Sequence, residues 1–143
     1  MLKRTLITAE DVCQEIISLI GDSTELGISG EVRSMTRRFQ SKLEDVIVKP
    51  LVFDAEQIQR GVFLINIHVP NLLNQQGGGA GIDNTQPNKT RFEEIADKIR
   101  AKVDETENIS LSTPGELIPD SENWFCSIQV EVIYLRNEIT ETN

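Results

Sequence analysis

The sequence predicts an α+β fold, with two helices packed on a single antiparallel or mixed sheet in the order α-β-β-β-α-β-β. Three observations carry this. Two stretches, at about 9–20 and 90–106, repeat apolar residues at three- and four-residue spacing. Three others, 43–53, 62–69 and 124–135, are rich in branched apolar residues, and the last alternates strictly. The strands are grouped around the second helix with hairpin-length connections and no internal repeat. A chain of 143 residues suits one domain spanning 1–143.

Thr8 followed by Asp11 forms a helix start, a hydroxyl cap with an acid that reaches back. Val12, Ile16 and Ile20, with Cys13, Ile17 and Leu19 beside them, make an apolar stripe that Gly21 ends. "DSTELGISG" reads as turn chemistry. A strand at 31–35 leads into an exposed basic arm with Arg33, Arg37, Arg38 and Lys42, where Phe39 is the one large apolar residue. The strand 43–53 contains Pro50, which donates nothing to a ladder and so marks an edge, a bulge or a break. "DAEQIQRG" connects it to 62–69, with Phe63, Ile65, Ile67 and Val69 on one face and Leu64, Asn66 and His68 on the other.

A long glycine-rich loop occupies 71–89. In the next helix Phe92, Ile95, Ala96, Ile99 and Val103 form the buried stripe. A short strand at 109–112 and a Pro/Gly turn region precede the final strand, "WFCSIQVEVIYL". The polar tail frays from about 137.

Charge excludes some function classes. Fourteen Lys and Arg stand against 23 Asp and Glu, a formal net charge of −9, which repels nucleic acid and anionic membrane at long range. No apolar run reaches the ~18 residues of a membrane span, and the basic N-terminus has no apolar block behind it, so it is not a secretory signal. Cys13 and Cys126 each fall in an apolar pattern, which favours buried thiols and a reducing compartment.

The loop at 71–89 stands where a phosphate-binding turn would, but fails as one. Gly81 is followed by Ile82, and Lys89-Thr90 comes too late for a Walker loop. Gly77-x-Gly79 leads to Ile82, which breaks the dinucleotide fingerprint. His68 is the only histidine, so a histidine-based zinc site or acid–base pair is excluded. Cys13 on a helix's apolar stripe is an inert thiol rather than a nucleophile. The expectation is no catalytic residue, no cofactor, no metal and no small-molecule ligand. The basic arm reads as a solvated segment, a nucleic-acid contact lacking the usual interleaved aromatics, or a protein contact.

The pattern as a whole resembles the neck and tail-completion proteins of long-tailed phages and prophages, above all the tail terminator family. "ISGEVRSMTRRFQSKLEDVIVKPL" is similar to that family's strand, arm and second strand. "QIQRGVFLINIHVPNL" is similar to its central hairpin partner, "DNTQPNKTRFEEIADKIRAKV" to its loop and helix, and "WFCSIQVEVIYLR" to its final strand. The resemblance implies a non-enzymatic virion protein of the tail or neck, assembled in the host cytoplasm. Its copies would form a ring, commonly a hexamer, that ends the tail tube and joins it to the head. The implied partners are other copies, the tail tube protein and another neck protein, with DNA only passing through the channel. Head closure, tail-to-head joining, or a non-viral ligand-binding α+β domain are the alternatives. The expected subunit or tail contacts are Arg33, Arg37, Arg38 and Lys42 of the arm, with Leu72, Leu73, Gly77, Gly78, Gly79 and Ile82 of the loop. An arm that meets acidic residues of a neighbour makes assembly weaken as salt rises.

Overall fold

The computed structural model describes residues 7–55, 58–72, 74–75, 82–83 and 85–135. Its elements in chain order are α1 (Ala9–Ile20), α2 (Ser23–Leu26), β1 (Val32–Ser34), β2 (Asp45–Phe53), β3 (Ile58–His68), β4 (Asn74–Gln75), β5 (Ile82–Asp83), α3 (Lys89–Val103), β6 (Ile109–Asp120) and β7 (Asn123–Leu135). A five-stranded sheet runs in the order β1-β2-β3-β7-β6, and β4 and β5 form a small separate pair. β1 is parallel to β2, while every other neighbouring pair is antiparallel. The fold is α+β on a mixed sheet.

Local chemistry explains the helix ends. The Thr8 hydroxyl accepts from the Asp11 amide at 3.1 Å, and the Asp11 carboxylate accepts from the Thr8 amide at 3.1 Å. Gly21 then leaves the helix with φ 100° while its N–H still donates to Ile17 O. The stretch expected to be only a turn contains α2. Asp22 and Glu25 form a second capping box, and Gly27 closes the turn in the left-handed region. A capping box at one end and a left-handed glycine at the other let a four-residue segment close one helical turn where apolar periodicity has no room to register.

α1 lies on β1 and β2, and α3 on β3, β6 and β7, so both long helices cover the same face. Between them and the sheet sits one core that includes Val12, Ile16, Ile20, Val46, Val48, Phe63, Ile65, Ile67, Phe92, Ile95, Ile99, Ile128, Val130 and Val132. The stripe residues expected from sequence are buried there, apart from Ile17 and Leu19, which are partly buried.

Pro50 behaves as its chemistry demands. Val46 N donates to Glu31 O and Val48 O accepts from Met35 N, so even-numbered backbone groups of β2 face β1. β1 ends opposite Val48, so the missing N–H of Pro50 falls on an open edge, and the register shifts between Pro50 and Val52.

The expected turn region after residue 112 is instead strand. β6 continues through Pro114, Gly115 and Pro119 to Asp120, and the hairpin turn is at Ser121, which has φ 56°. Two register irregularities, between Leu111 and Thr113 and between Thr113 and Glu116, absorb the prolines. An edge strand tolerates them because one side of its ladder has no partner to lose. β3 also begins earlier than the periodicity suggested, at Ile58.

Candidate interaction site

Residues 35–44 join β1 to β2 without regular structure, yet two consecutive carboxylates brace them. Asp45 opens β2 and is 1% exposed. Its Oδ1 accepts from the Glu31 amide at 2.8 Å, and its Oδ2 accepts from Arg37 Nε at 2.7 Å and Ser41 Oγ at 2.5 Å. Arg37 also donates through Nη2 to Leu43 O at 2.6 Å. Arg38 lies 3.4 Å from Glu31 and 3.9 Å from Asp45. Burial works against the Asp45 charge, and hydrogen bonds from Ser41, Arg37 and the Glu31 amide more than offset it, holding the carboxyl below its usual range.

Glu44 ties the other end of the arm to α3. Arg91 forks onto it, Nε to Oε2 at 2.6 Å and Nη2 to Oε1 at 2.9 Å, and also donates to Gly27 O at 2.5 Å. The Ser29 amide adds a bond to Glu44 Oε1 at 3.2 Å. The Arg91 hydrogen bond is the main cause holding the Glu44 carboxyl below its ordinary value. Gly30 makes the approach possible: a Cβ there would lie 2.1 Å from Asp45 Oδ1 and 2.2 Å from Glu44 O.

The braced segment displays an apolar tip. Phe39 is 91% exposed, with Met35 at 39% and Leu43 at 41%. Met35 and Gln40 occupy the left-handed region, with φ 68° and 54°. Backbone of this kind persists only where surrounding bonds hold it, and it clusters at functional segments.

The structure corrects the expectation of an exposed basic arm. Arg37 and Arg38 are half-buried and converge on Asp45, and Arg33 stands 3.8 Å from Glu31. Lys42 is exposed and makes no ion pair among the described residues. The arm's acids, Glu31 and Asp45, come from its own flanks. Leu72 lies apart, 37% exposed, with its amide on Gln86 O at 2.9 Å. Leu73, Gly77, Gly78, Gly79 and the expected frayed tail lie outside the described residues, as does the side chain of Ile82, whose backbone pairs with Gln75.

Beside the arm is a cleft of about 410 Å³ lined by Arg37, Lys42, His68, Pro70 and Trp124, among others. His68 stacks on Phe125 with ring centroids 5.4 Å apart. Burial, with Arg37 nearby, lowers its pKa to about 4, so the imidazole is neutral at pH 7. Burial pushes the Cys13 thiol up to about 11, with Glu10 adding to it, and raises Cys126 as well. Both thiols are protonated at neutral pH. Among the described residues no group of three or more His, Cys, Asp and Glu could hold a metal ion, and no helix is long and apolar enough to cross a membrane.

Sequence reasoning missed Gly30, Glu44, Asp45 and Arg91. The one local signal was "ED", one residue after an acid-free run with four cations at 33–42. Nothing local links Arg91 to Glu44. No known family model matches the chain, and no curated protein matches it.

Proposed function

We propose that this chain is a ring-forming structural subunit of a phage tail or neck, ending the tail tube and joining it to the head as a tail terminator does. The observation that carries the reading is Phe39, a bare aromatic on a loop fixed by two carboxylates. A solvated loop gains nothing from such bracing. A docking segment does, because pre-organisation removes ordering cost at the moment of binding. Covering the ring contributes about 1.5–3 kcal/mol. The order of elements supports the same reading through its resemblance to the terminator family. The acid-rich chain suits a channel that lets DNA pass without holding it.

The cleft beside His68 favours a second reading, a ligand-binding domain in which Lys42 meets an anionic group. One measurement separates the two. Native mass spectrometry of the purified protein at micromolar concentration gives a single closed stoichiometry on the assembly reading. A monomer at every concentration, saturably binding small carboxylates or phosphates, favours the ligand-binding domain instead.

A further inference from the structure

Building on the assembly reading, we propose that Phe39 of one copy seats in the depression formed by Leu19, Ile109 and Tyr134 of the next copy. That depression has a volume of about 470 Å³, and Gln14, Glu15 and Asn108 also line it. Its apolar walls and polar rim suit one aromatic side chain on a polar stem. Tyr134 supplies a ring against which a phenylalanine packs edge-to-face.

The two features sit at opposite ends of the sheet. Asp45, which anchors the arm, pairs with His68 at one end of β3, and Tyr134 pairs with Gln59 near the other. At strand spacing Asp45 and Tyr134 are about 30 Å apart along the sheet. A protrusion at one end and a hollow at the other make a heterologous, head-to-tail contact, the kind that generates rings when the rotation closes. Phe39 is 91% exposed, so its own copy leaves it uncovered.

Charge agrees with the pairing. The arm brings Lys42, which has no ion pair among the described residues. Glu15 stands in the wall of the depression, and exposed Glu105 and Glu107 flank its Thr106. No cation lines it. A second apolar depression at that end, lined by Val52, Val62 and Ile133, carries Arg60 with Asp54 and Glu131 in its wall and has no aromatic ring among the described residues. The Glu15 depression is the better match for a phenylalanine tip beside Lys42, because it offers a tyrosine ring and an acid with no described cation next to it.

The test uses the full chain. Phe39→Ser, which alters an exposed side chain, is expected to leave the melting temperature unchanged and weaken self-association by about 30-fold. Glu15→Lys is expected to weaken it as well, and Lys42→Glu added to Glu15→Lys to restore it. A Ser18→Cys, Phe39→Cys double variant is expected to give a ladder of covalent multimers on mild oxidation, the native thiols being buried. If the wild type assembles and Phe39→Ser assembles equally well, this contact is wrong and the assembly reading stands. Cross-links that stop at dimers also overturn it. If the wild type is monomeric at every concentration, the assembly reading fails and this inference fails with it.

Discussion

His68 shows how far a fold can move one residue's chemistry. Its pKa falls from an ordinary 6.5 to about 4, first through burial, then through Arg37, while Asp45 and Asp120 pull the other way and Lys49 adds to the lowering. A group with a depressed folded pKa takes up protons more readily when unfolded. Its contribution to stability is complete above about pH 6.5 and is lost as pH falls toward 4. Asp45 and Glu44 act lower. Their folded values lie beneath 3.8 and 4.5, so their contribution holds above those values and disappears in stronger acid. Denaturant melts of His68→Phe between pH 4 and 7 should show a flatter decline than the wild type, with the acid limb below pH 4 unchanged. An equal slope in both proteins would mean that another group titrates in that window. Gly30→Ala forces Asp45 or the Glu44 carbonyl to move, and a loss of about 1–3 kcal/mol is expected in the same melts, the range for overpacking.

At the scale of elements, α3 has two jobs, one on its buried stripe and one beside it. Ile99 is fully buried against the sheet, and Ile99→Ala should cost about 2–5 kcal/mol by denaturant unfolding. A loss below about 0.5 kcal/mol, the level of a surface substitution, would contradict its place in the core. Arg91, on the same helix, holds the arm by its fork onto Glu44 and its bond to Gly27 O. Arg91→Met keeps most of the apolar stem and removes the fork. Limited trypsin digestion should then cut faster after Arg37, Arg38 and Lys42, while far-UV circular dichroism stays the same. Unchanged cutting would show that Asp45 braces the arm alone. The α3 stripe was legible because its spacing is written in consecutive residues. The Arg91 fork was not, because its partner lies on a different element.

For the whole molecule, the pairing of Arg37 and Arg38 within the chain changes the expected salt response. Sequence reasoning gave the arm four exposed cations, and so an assembly that weakens as salt rises. With two of them converging on Asp45 and Arg33 beside Glu31, only Lys42 is left to a neighbour. Self-association should fall just two- to fivefold, or about 0.4–1 kcal/mol, between low and high salt, the scale of one exposed pair. Sedimentation at ~0.05 and ~0.5 M NaCl measures it. A loss of a hundredfold or more would mean that several ion pairs cross between copies.

The α+β class, both long helices, the caps of the first, the three main strands and most of the buried stripes are legible in the sequence. Each of these is encoded by residues a few positions apart, where periodicity and capping chemistry act locally. Only the tertiary structure decided that β1 is parallel to β2, that β6 runs through its prolines, and that the basic arm is neutralised and held. Those outcomes depend on which strand lies at an edge and on which carboxylate the fold brings to which arginine. Glu44 and Arg91 are separated by 47 residues and meet only when α3 packs on the sheet. The exposure of Phe39 is decided the same way. In sequence it is one apolar residue among cations, and only the braced loop turns it outward.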